Sequence, residues 1–400
     1  MSVRLSPWKY INEGNVHIVL QIMDSTCVLR MIKEDNCKVL KPAVYESVKF
    51  VNSVMIPLIF FDKRYQEEVV EISQNDIDEM TEKLSKFRPK NRIFKSILSS
   101  TAIKAPNLTI ISPNTDNYCI EIKPKEGYLA KGLKMSSKCY YCLKQFLKFK
   151  DKQISCPSNY CPLDLFSGDK SRMKYALQSL IENPQNNFRI FKNGVLIYDE
   201  NENLHKKTIN SILSQMEIFS NLNLFLDFII DILLSDCKSD INVIETSKTS
   251  MRYKNKECID SDSQKNNSFL NNLLFLQKLS EKFDYHTDYN NKDVNYVESI
   301  LKEIETKNLN LCNKHHRDIF FTWDPFYLAL ISAIVKDCSI MISFTKTPVR
   351  QHPKVSLCGN EISYQLSITD LEPKMSKVLQ KRRDMEKKLL ELYAKIIASE

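Results

Sequence analysis

The hydrophobic pattern of the chain changes near residue 135, and this change limits the folds that the chain can adopt. Before it, alternating apolar residues predict short strands, starting with a strand, a tight turn and a second strand at 8–22. After it, apolar residues recur at helical spacing. Strands followed by helices are typical of the α+β class. The sequence therefore predicts an α+β fold with an N-terminal lobe at 1–135 and a larger, mostly helical C-terminal lobe at 136–400.

The same patterns place the individual elements. In the N-terminal lobe, further strands are predicted at 27–33, 108–112 and 118–123, with helical segments at 43–60 and 75–86. In the C-terminal lobe, a strand is predicted at 339–344 and helices at 136–150, 170–182, 208–234, 269–283, 325–335 and 380–397. Residues 236–268 are rich in Ser, Lys, Asn and Asp, which predicts a variable insertion without a packed core.

The composition narrows the classes of function. A 43% hydrophobic share over 400 residues is enough for sizeable cores. The net charge of +8 predicts a polyanionic partner, yet the basic residues are dispersed, which argues against nucleic acid. Twelve cysteines without a signal peptide predict free thiols in a reducing compartment, nuclear or cytosolic. The most apolar window, 218–234, carries polar residues at helical spacing, so we expect a core helix there and no transmembrane segment.

The run E-I-K-P-K-E-G-Y at 121–128 carries the first candidate site residues. On an extended segment, alternation places the ammonium groups of Lys123 and Lys125 on the same side. Such a pair suits an anionic ligand, because lysine presents a compact positive charge to phosphate; the alternative is a solvated surface pair. Because the chain has only six glycines, we expect Gly127 where a side chain would clash or φ must be positive.

A second candidate lies in the run K-D-C-S-I-M-I-S-F at 336–344. Asp337 falls on a connection between a predicted buried helix and an apolar strand, where a carboxylate is held in place and partly removed from water. Such a carboxylate can orient a hydroxyl group or accept its proton. The alternative is an aspartate that caps or ends an element.

These two runs stand in order with C-P-L-D-L-F-S-G at 161–168 and P-Q-N-N-F-R-I-F at 184–191. Together the four motifs closely resemble the inositol-pentakisphosphate 2-kinase family. The resemblance implies a two-lobed fold distantly related to protein kinases, with an antiparallel sheet in the N-lobe and a larger, mostly helical C-lobe. It also implies transfer of the γ-phosphoryl of Mg-ATP to the 2-hydroxyl of inositol 1,3,4,5,6-pentakisphosphate, which gives inositol hexakisphosphate (phytate).

The resemblance assigns the nucleotide side of the site. Gly14 and Asn15, in a turn that by itself predicts an ordinary hairpin, match a turn that covers ATP. Arg30 matches an arginine that reaches the nucleotide phosphates. Asp370, in S-I-T-D-L-E-P-K, matches the aspartate that holds Mg²⁺ at the nucleotide. ATP and Mg²⁺ are therefore the expected cofactors.

The resemblance also assigns the substrate side. Asp337 matches the residue that orients and deprotonates the hydroxyl, and Lys123 matches a lysine that neutralises the transferred group. Asp164 is interpreted as structural, with its carboxylate satisfying local backbone N–H groups. The expected contacts with inositol phosphates are Arg92 of the loop R-P-K-N-R, with Arg88 as its alternative, and Lys123, Lys125, Lys148, Asn186, Asn187 and Lys374.

The match weakens after Asp370, where D-L-E-P-K stands in place of the family's D-L-x-L-K-P. The family's next arginine and tyrosine contacts fall at Val378 and Arg382. Either Lys377, Lys381 and Arg382 supply the missing cations, or substrate affinity is reduced at that end.

The cysteines allow a structural zinc ion as a secondary hypothesis. One set follows a zinc-ribbon-like order, but its C-x₄-C spacing is irregular and its first pair falls in a predicted helix, so we interpret it as ordinary half-buried thiols. Some family members carry zinc in the region of the second set, with a different spacing. The first set is Cys139, Cys142, Cys156 and Cys161, and the second is His286, Cys312, His315 and His316.

The sequence therefore predicts a monomeric ATP-dependent kinase whose partner is inositol pentakisphosphate, with no requirement for nucleic acid or membrane. Two alternatives stay open. One is an inositol-phosphate kinase of different positional selectivity. The other is a catalytically degenerate inositol-phosphate-binding protein, which would have no need of Asp337 and Asp370 facing a polyanion.

Overall fold

The computed structural model confirms the α+β class, with two sheets that are antiparallel except for one short strand pair. It describes residues 7–14, 16–23, 25–34, 40–93, 97–200, 208–236, 244–245, 268–283, 295–357 and 359–398.

The first sheet contains five antiparallel strands in the order β1-β2-β3-β5-β4. One face of the sheet packs its alternating apolar residues against the helix Gln74–Leu84, which buries Ile77, Met80 and Leu84. The strands are β1 Trp8–Glu13, β2 His17–Ile22, β3 Cys27–Glu34, β4 Glu68–Glu71 and β5 Ile97–Pro106.

The strand predicted at 108–112 is wrong, and the strand of this region is β5 instead. The Asn117 side chain accepts hydrogen bonds from the backbone N–H groups of Ile111, at 2.8 Å, and Ser112, at 3.1 Å. These are the donors that a sheet would need, so a local side chain competes with strand pairing here.

The second sheet holds seven strands in the order β8-β7-β6-β10-β12-β11-β9. Strand β10 lies at its centre and every one of its residues is buried, as expected for a strand covered on both faces. The strands are β6 Tyr118–Ile122, β7 Phe188–Lys192, β8 Val195–Tyr198, β9 Ile244–Glu245, β10 Ser339–Thr345, β11 Lys354–Leu357 and β12 Asn360–Thr369.

Helices cover this sheet and join its core. They are α1 Lys41–Phe60, α2 Gln74–Leu84, α3 Tyr140–Lys150, α4 Pro162–Leu165, α5 Lys170–Glu182, α6 Ile209–Met216, α7 Leu222–Leu233, α8 Phe269–Lys278, α9 Tyr296–Thr306, α10 Lys314–Phe320, α11 Pro325–Val335 and α12 Lys377–Ile397. Short 3₁₀ turns lie at Lys90–Arg92, Lys131–Ser136 and Leu279–Lys282.

Helix α1 is one continuous helix with a π-helical turn at Val51–Met55. The N–H of Ile56 bonds to the carbonyl of Val51, just before Pro57, which has no N–H to donate. In the described ranges, α1 is the one unbroken helix long and apolar enough to span a bilayer, and 61% of its apolar window is buried inside the protein. Helices α10 and α11 are long and apolar enough to span a bilayer only when they are counted as one segment, and a bend of 113° separates them.

Two boundaries differ from the sequence reading. The single helix predicted at 208–234 is two helices, because Glu217 adopts a left-handed φ of 53° and Asn221 caps α7 by accepting from the N–H of Leu224. Strand β6 lies before residue 135, in the predicted N-terminal lobe, yet it pairs with strands of the predicted C-terminal lobe in the second sheet. The lobe boundary at 135 stays a prediction.

Most of the insertion predicted at 236–268 lies outside the described residues.

Gly127 offers a test of the packing beneath the candidate site. A Cβ atom at this position would overlap the ring of Phe166, which is buried in the main core. We expect Gly127→Ala to lower the free energy of unfolding by about 1–3 kcal/mol through overpacking, measured by urea denaturation. Gly132→Ala is the matched control, since its Cβ would meet only Glu386 at an ordinary 3.5 Å. Equal stability of the two variants would contradict this account.

Candidate functional site

The register of β10 brings two charged side chains, those of Lys123 and Asp370, together at one end of the second sheet. Ser339 pairs with Thr369, the last residue of β12, and Ile340 pairs with Ile122, the last residue of β6. The residues that follow those strand ends, Lys123 and Asp370, therefore flank the start of β10. Their side chains meet, with Lys123 Nζ 2.8 Å from Asp370 Oδ2. Burial lowers the pKa of Lys123, but the charge and hydrogen bond of Asp370, with the charges of Glu121 and Asp337, together outweigh it, so the pKa is raised.

Asp337 lies beside this pair on the connection from α11 to β10. Its Oδ2 accepts a hydrogen bond from Lys374 Nζ at 2.6 Å, and its Oδ1 lies 3.7 Å from Lys125 Nζ. The Asp337 side chain is 60% exposed, so it is less removed from water than expected. Desolvation would raise the pKa of Asp337, but the charge and hydrogen bond of Lys374, together with the charges of Lys125 and Lys123, outweigh it, so the pKa is lowered. A carboxylate held ionised between two ammonium groups is ready to accept a hydrogen bond from a hydroxyl group.

The two lysines of E-I-K-P-K reach the site by a different route from the predicted alternation. Strand β6 ends at Ile122, and Lys125 adopts a left-handed φ of 60°, so the segment is not extended at this point. Gln277 anchors the turn, because it accepts from the N–H of Gly127 and donates to the carbonyl of Lys125, both at 2.8 Å. Each lysine then pairs with a different carboxylate.

A cavity of about 250 Å³ opens beside Asp337. It is lined by two of the predicted substrate lysines, by both predicted asparagines and by cations that were not assigned from the sequence. We call it the basic cavity. Its lining residues are Lys125, Glu126, Tyr140, Tyr141, Lys144, Gln145, Lys148, Asn186, Asn187, Lys336, Asp337 and Arg382.

Lys144 is the clearest residue that the sequence reading missed. It lies one helical turn before Lys148 on α3, and spacing of four on a helix was the available signal. Burial lowers the pKa of Lys144, and the charge of Lys148 adds to this effect. Burial likewise lowers the pKa of Lys125, although the charge of Asp337 opposes the shift. Lys377, Lys381 and Arg382 were suggested as replacements for the family's missing phosphate contacts, and of these three Arg382 lines the cavity.

The two asparagines have unequal roles. Asn187 is 2% exposed, its Nδ2 donates to the hydroxyl of Tyr141 at 3.1 Å, and its Oδ1 has no hydrogen-bond partner. Asn186 is exposed at the rim of the cavity. Asn186 is therefore available to a ligand from solution, while Asn187 also orders the cavity wall.

The predicted nucleotide residues lie on the first sheet. Arg30 Nη1 donates to Glu67 at 2.8 Å, and its Nη2 forms an ion pair with Glu372, which belongs to the altered D-L-E-P-K segment. Gly14 is exposed in the β1–β2 turn, and its carbonyl accepts a hydrogen bond from the buried Lys33. Asn15 lies outside the described residues.

Arg92 is not in the basic cavity in this structure. Its guanidinium donates to the carbonyl of Glu13, at the β1–β2 turn, and its own carbonyl accepts from Arg88 Nη2 at 2.6 Å. The loop R-P-K-N-R thus packs against the turn, and the predicted contact of Arg92 with substrate stays a prediction.

The end of the second sheet also holds a second carboxylate. Glu121 Oε1 accepts from Ser339 Oγ at 2.8 Å, and the same hydroxyl lies 3.3 Å from Asp370 Oδ2. Arg189, two residues beyond the double asparagine, donates to Glu121 Oε2 at 3.3 Å. Carboxylate and hydroxyl oxygens are the hard ligands that Mg²⁺ prefers, so this donor set fits the ion.

The cysteine sets behave differently from each other. The Sγ atoms of Cys139, Cys142 and Cys161 all lie within 4.8 Å of one another, whereas Cys156 is exposed and accepts from Asn183. In the part of the chain that the structure describes, no other group of three or more His, Cys, Asp or Glu residues is this close. His286, from the second set, lies outside the described residues.

The contact that the Asp164 carboxylate makes also differs from the predicted one, which was with local backbone N–H groups. Its carboxylate binds Arg172 at 2.7 Å, and the neighbouring helix α5 is capped by Asp169 instead. Its interpretation as a residue outside the site is in keeping with this surface pairing.

Comparison with known proteins matches residues 10–388 to the family model described as inositol-pentakisphosphate 2-kinase. The chain belongs to the inositol-pentakisphosphate 2-kinase family. A relative from Danio rerio with this name is 26% identical over 96% of the chain and 92% of its own length. One from Arabidopsis thaliana, also named inositol-pentakisphosphate 2-kinase, is 28% identical over 86% of the chain and 76% of its own length. The inositol-pentakisphosphate 2-kinase match includes every residue of the basic cavity.

The depressed pKa values of Lys125 and Lys144 predict a pH dependence of anion binding. A bound polyphosphate restores their charge and takes up protons, so affinity is full below the lowered pKa values and falls as pH rises through them. We expect affinity for inositol hexakisphosphate to fall about tenfold as pH is raised toward 10.5, the ordinary pKa of lysine, so that the fall begins before an unperturbed lysine would lose its charge, measured by titration calorimetry. The Lys125→Met variant should bind more weakly with a shallower slope. Affinity independent of pH would contradict this expectation.

Proposed function

We propose that this chain is a kinase that transfers the γ-phosphoryl of ATP to the 2-hydroxyl of inositol 1,3,4,5,6-pentakisphosphate, giving inositol hexakisphosphate. The observation that carries the proposal is Asp337, held between Lys374 and Lys125 at the mouth of the basic cavity, beside the Lys123–Asp370 pair. This arrangement supplies a carboxylate for the attacking hydroxyl and cations for the phosphates. The names of the family and of its relatives support the substrate.

Asp337 acts on the acceptor hydroxyl. Its carboxylate accepts a hydrogen bond from the 2-hydroxyl and orients the oxygen toward the γ-phosphorus. The oxygen–phosphorus bond forms as the bond from the γ-phosphorus to the β–γ bridging oxygen breaks, the hydroxyl proton passes to Asp337, and ADP leaves. The lowered pKa of Asp337 means that the proton moves late, when the oxygen has become acidic through bonding to phosphorus. Lys374, 2.6 Å away, then stabilises the deprotonated carboxylate that must be restored.

Lys123 and Asp370 act on the transferred group. Asp370, with Glu121 and Ser339 nearby, would hold Mg²⁺, which supplies positive charge at the nucleotide phosphates when bound. Lys123 Nζ then turns from Asp370 toward the γ-phosphoryl and neutralises the charge that develops there. Arg30 exchanges its ion pair with Glu372 for the nucleotide phosphates.

The basic cavity would bind the remaining phosphates of the inositol ring. Lys125, Lys144 and Lys148 provide the charge, and Asn186 provides an amide donor without adding to it. Lys144, added to the family-matched contacts, supports substrate affinity despite the altered D-L-E-P-K segment, whereas Arg382 is already paired with Glu126 and Glu386. A different positional selectivity is the second candidate, because that segment lies next to Asp337 through Lys374. We further propose a two-lobed, kinase-related, monomeric enzyme of the nucleus or cytoplasm that needs neither nucleic acid nor membrane.

We also propose a structural zinc site at Cys139, Cys142 and Cys161. Zinc–sulfur bonds of about 2.3 Å in a tetrahedron place sulfurs about 3.8 Å apart, and the observed Cys139–Cys142 and Cys139–Cys161 distances are 3.3 Å and 3.9 Å. Cys139 caps α3, and its sulfur accepts from the N–H of Cys142. The two neighbouring thiols, with the N–H groups of Leu163 and Asp164, lower the pKa of Cys161, whereas hydrogen bonding to Cys161 and burial raise the pKa of Cys139 and of Cys142. The three thiols therefore favour one shared thiolate, at Cys161, and a metal ion would have to displace the protons of the other two.

Turnover of the Asp337→Asn variant tests the kinase mechanism. The substitution keeps the shape of the side chain and an oxygen for Lys374, but removes the proton acceptor. We expect kcat for the pentakisphosphate to fall about 10²–10⁴-fold, with substrate binding retained, measured by product chromatography and calorimetry. Asp164→Asn is the matched control and should keep wild-type turnover, because that carboxylate binds only Arg172 at the surface. Phosphorylation at another ring position would establish the second candidate, and unchanged kcat in Asp337→Asn would remove Asp337 from the chemistry.

Metal content tests the zinc site. Protein purified without added metal should carry about one zinc ion per chain, measured by mass spectrometry of the metal. Cys161→Ser should lose the ion and lower the thermal unfolding temperature, whereas Cys312→Ser, in the other cysteine set, should keep it. Cys156→Ser shows whether that exposed cysteine supplies the fourth ligand. Metal-free wild-type protein, or loss of zinc in Cys312→Ser alone, would rule the site out.

A further inference from the structure

A cluster of buried charges forms the back wall of the basic cavity. Glu126, whose side chain is 3% exposed, lies between two cations, with its Oε2 2.6 Å from Arg382 Nη1 and its Oε1 3.6 Å from Lys336 Nζ. Lys336 also donates to the hydroxyl groups of Tyr128, at 2.9 Å, and Ser280, at 2.8 Å. Burial lowers the pKa of Lys336 to about 8, which leaves it charged at neutral pH.

Arg382 joins this cluster to two helices. Its Nε donates to Glu386 at 2.6 Å, one turn further along α12, and its guanidinium lies 3.4 Å from the ring centroid of Tyr140, the first residue of α3. Planar stacking and a two-sided ion pair hold this guanidinium in one orientation. The cluster therefore connects α3, α12 and the segments that carry Glu126 and Lys336.

Each member of the cluster is next to a residue of the site. Glu126 directly follows Lys125, and Lys336 directly precedes Asp337. Tyr140 lies on α3 one turn before Lys144 and two turns before Lys148. Three chain segments that bring contact residues to the basic cavity are thus joined to one another and to α12 behind it, by ion pairs and the stacked guanidinium of Arg382.

We propose that Glu126, Lys336 and Arg382 are positioning residues, which align Lys125, Asp337 and the α3 lysines for the phosphates of the inositol ring. The proposal rests on the proposed function for the identity of the substrate, but not for its binding. The motifs gave Glu126 and Lys336 no role in the site, and the sequence suggested Arg382 only as a replacement cation.

Two observations favour positioning over a contribution to stability alone. Buried ion pairs contribute little net stability relative to apolar residues of similar volume, so the two cations and two carboxylates here are an inefficient way to fill a core. In addition, Lys125 holds a left-handed φ of 60°, a conformation that persists only when the surroundings enforce it. Anchoring the next residue, Glu126, against Arg382 is one such restraint, and Gln277 provides the other.

The main test is Glu126→Gln, which keeps the side-chain shape and removes the charge that holds both cations. We expect the KM for the pentakisphosphate to rise at least about tenfold while the KM for ATP stays within about twofold, because Lys123, Asp370 and Arg30 are not in the cluster. Lys174→Met is the matched control, since it breaks a half-buried pair with Asp227 between α5 and α7, and both KM values should stay at the wild-type level.

A second variant covers the case in which Glu126→Gln does not fold. Arg382→Lys keeps the charge but loses the stacked, two-sided geometry, so the KM for the pentakisphosphate should rise by about half as many decades as in Arg382→Met. Partial rescue by lysine indicates a loss of alignment, since the total charge of the cavity is the same as in the wild type.

Equilibrium binding of inositol hexakisphosphate separates this proposal from the proposed function. If the wild type binds it without any kinase turnover, and Glu126→Gln weakens that binding at least about tenfold, the positioning role stands and the kinase function fails. If Glu126→Gln lowers the unfolding temperature but binds with wild-type affinity, the cluster serves stability alone and the proposal is overturned. An equal rise in the KM for ATP and for the pentakisphosphate would overturn it as well.

Discussion

The pairing of the central strand β10 with β6 and β12 is the constraint on which the site depends. Because Ser339 pairs with Thr369 and Ile340 with Ile122, the chain leaves both neighbouring strands at the same end of the sheet. Lys123 and Asp370 meet there, although they are 247 residues apart in sequence. A slip of one residue in either register would turn the β10 side chains to the opposite face and separate this pair.

Several cations of the site are paired with the protein's own carboxylates. Lys123 binds Asp370, while Lys125 and Lys374 bind Asp337, and Arg30 binds Glu67 and Glu372. Binding of ATP and a polyphosphate therefore exchanges ion pairs within the protein for ion pairs with phosphate. These internal ion pairs limit the electrostatic cost of holding many positive charges close together. It also gives Glu372, from the segment that departs from the family pattern, a direct contact with a predicted nucleotide residue.

Several errors of the sequence reading share one physical origin, which is competition from local side-chain hydrogen bonds. Asn117 takes the backbone donors of the predicted strand at 108–112, and Asn221 caps a new helix inside the one predicted at 208–234. The E-I-K-P-K lysines were predicted to lie on the same side of an extended segment by alternation, whereas Gln277 and a left-handed Lys125 set their positions. The cysteines are a similar case, since irregular spacing in sequence does not prevent Cys161 from lying beside the start of α3.

The sequence by itself determined the α+β class, most elements and the family, because periodicity and short ordered motifs are local properties of the chain. It also predicted Asp337, Asp370, Lys123 and Lys125 as candidate site residues, because those motifs contain them. Only the tertiary structure decided which carboxylate each lysine meets, that Lys144 and Arg382 join the basic cavity, and that Glu126 holds two cations behind it. These contacts link segments up to about 250 residues apart, and strand register and helix packing set them through interactions that no local pattern contains.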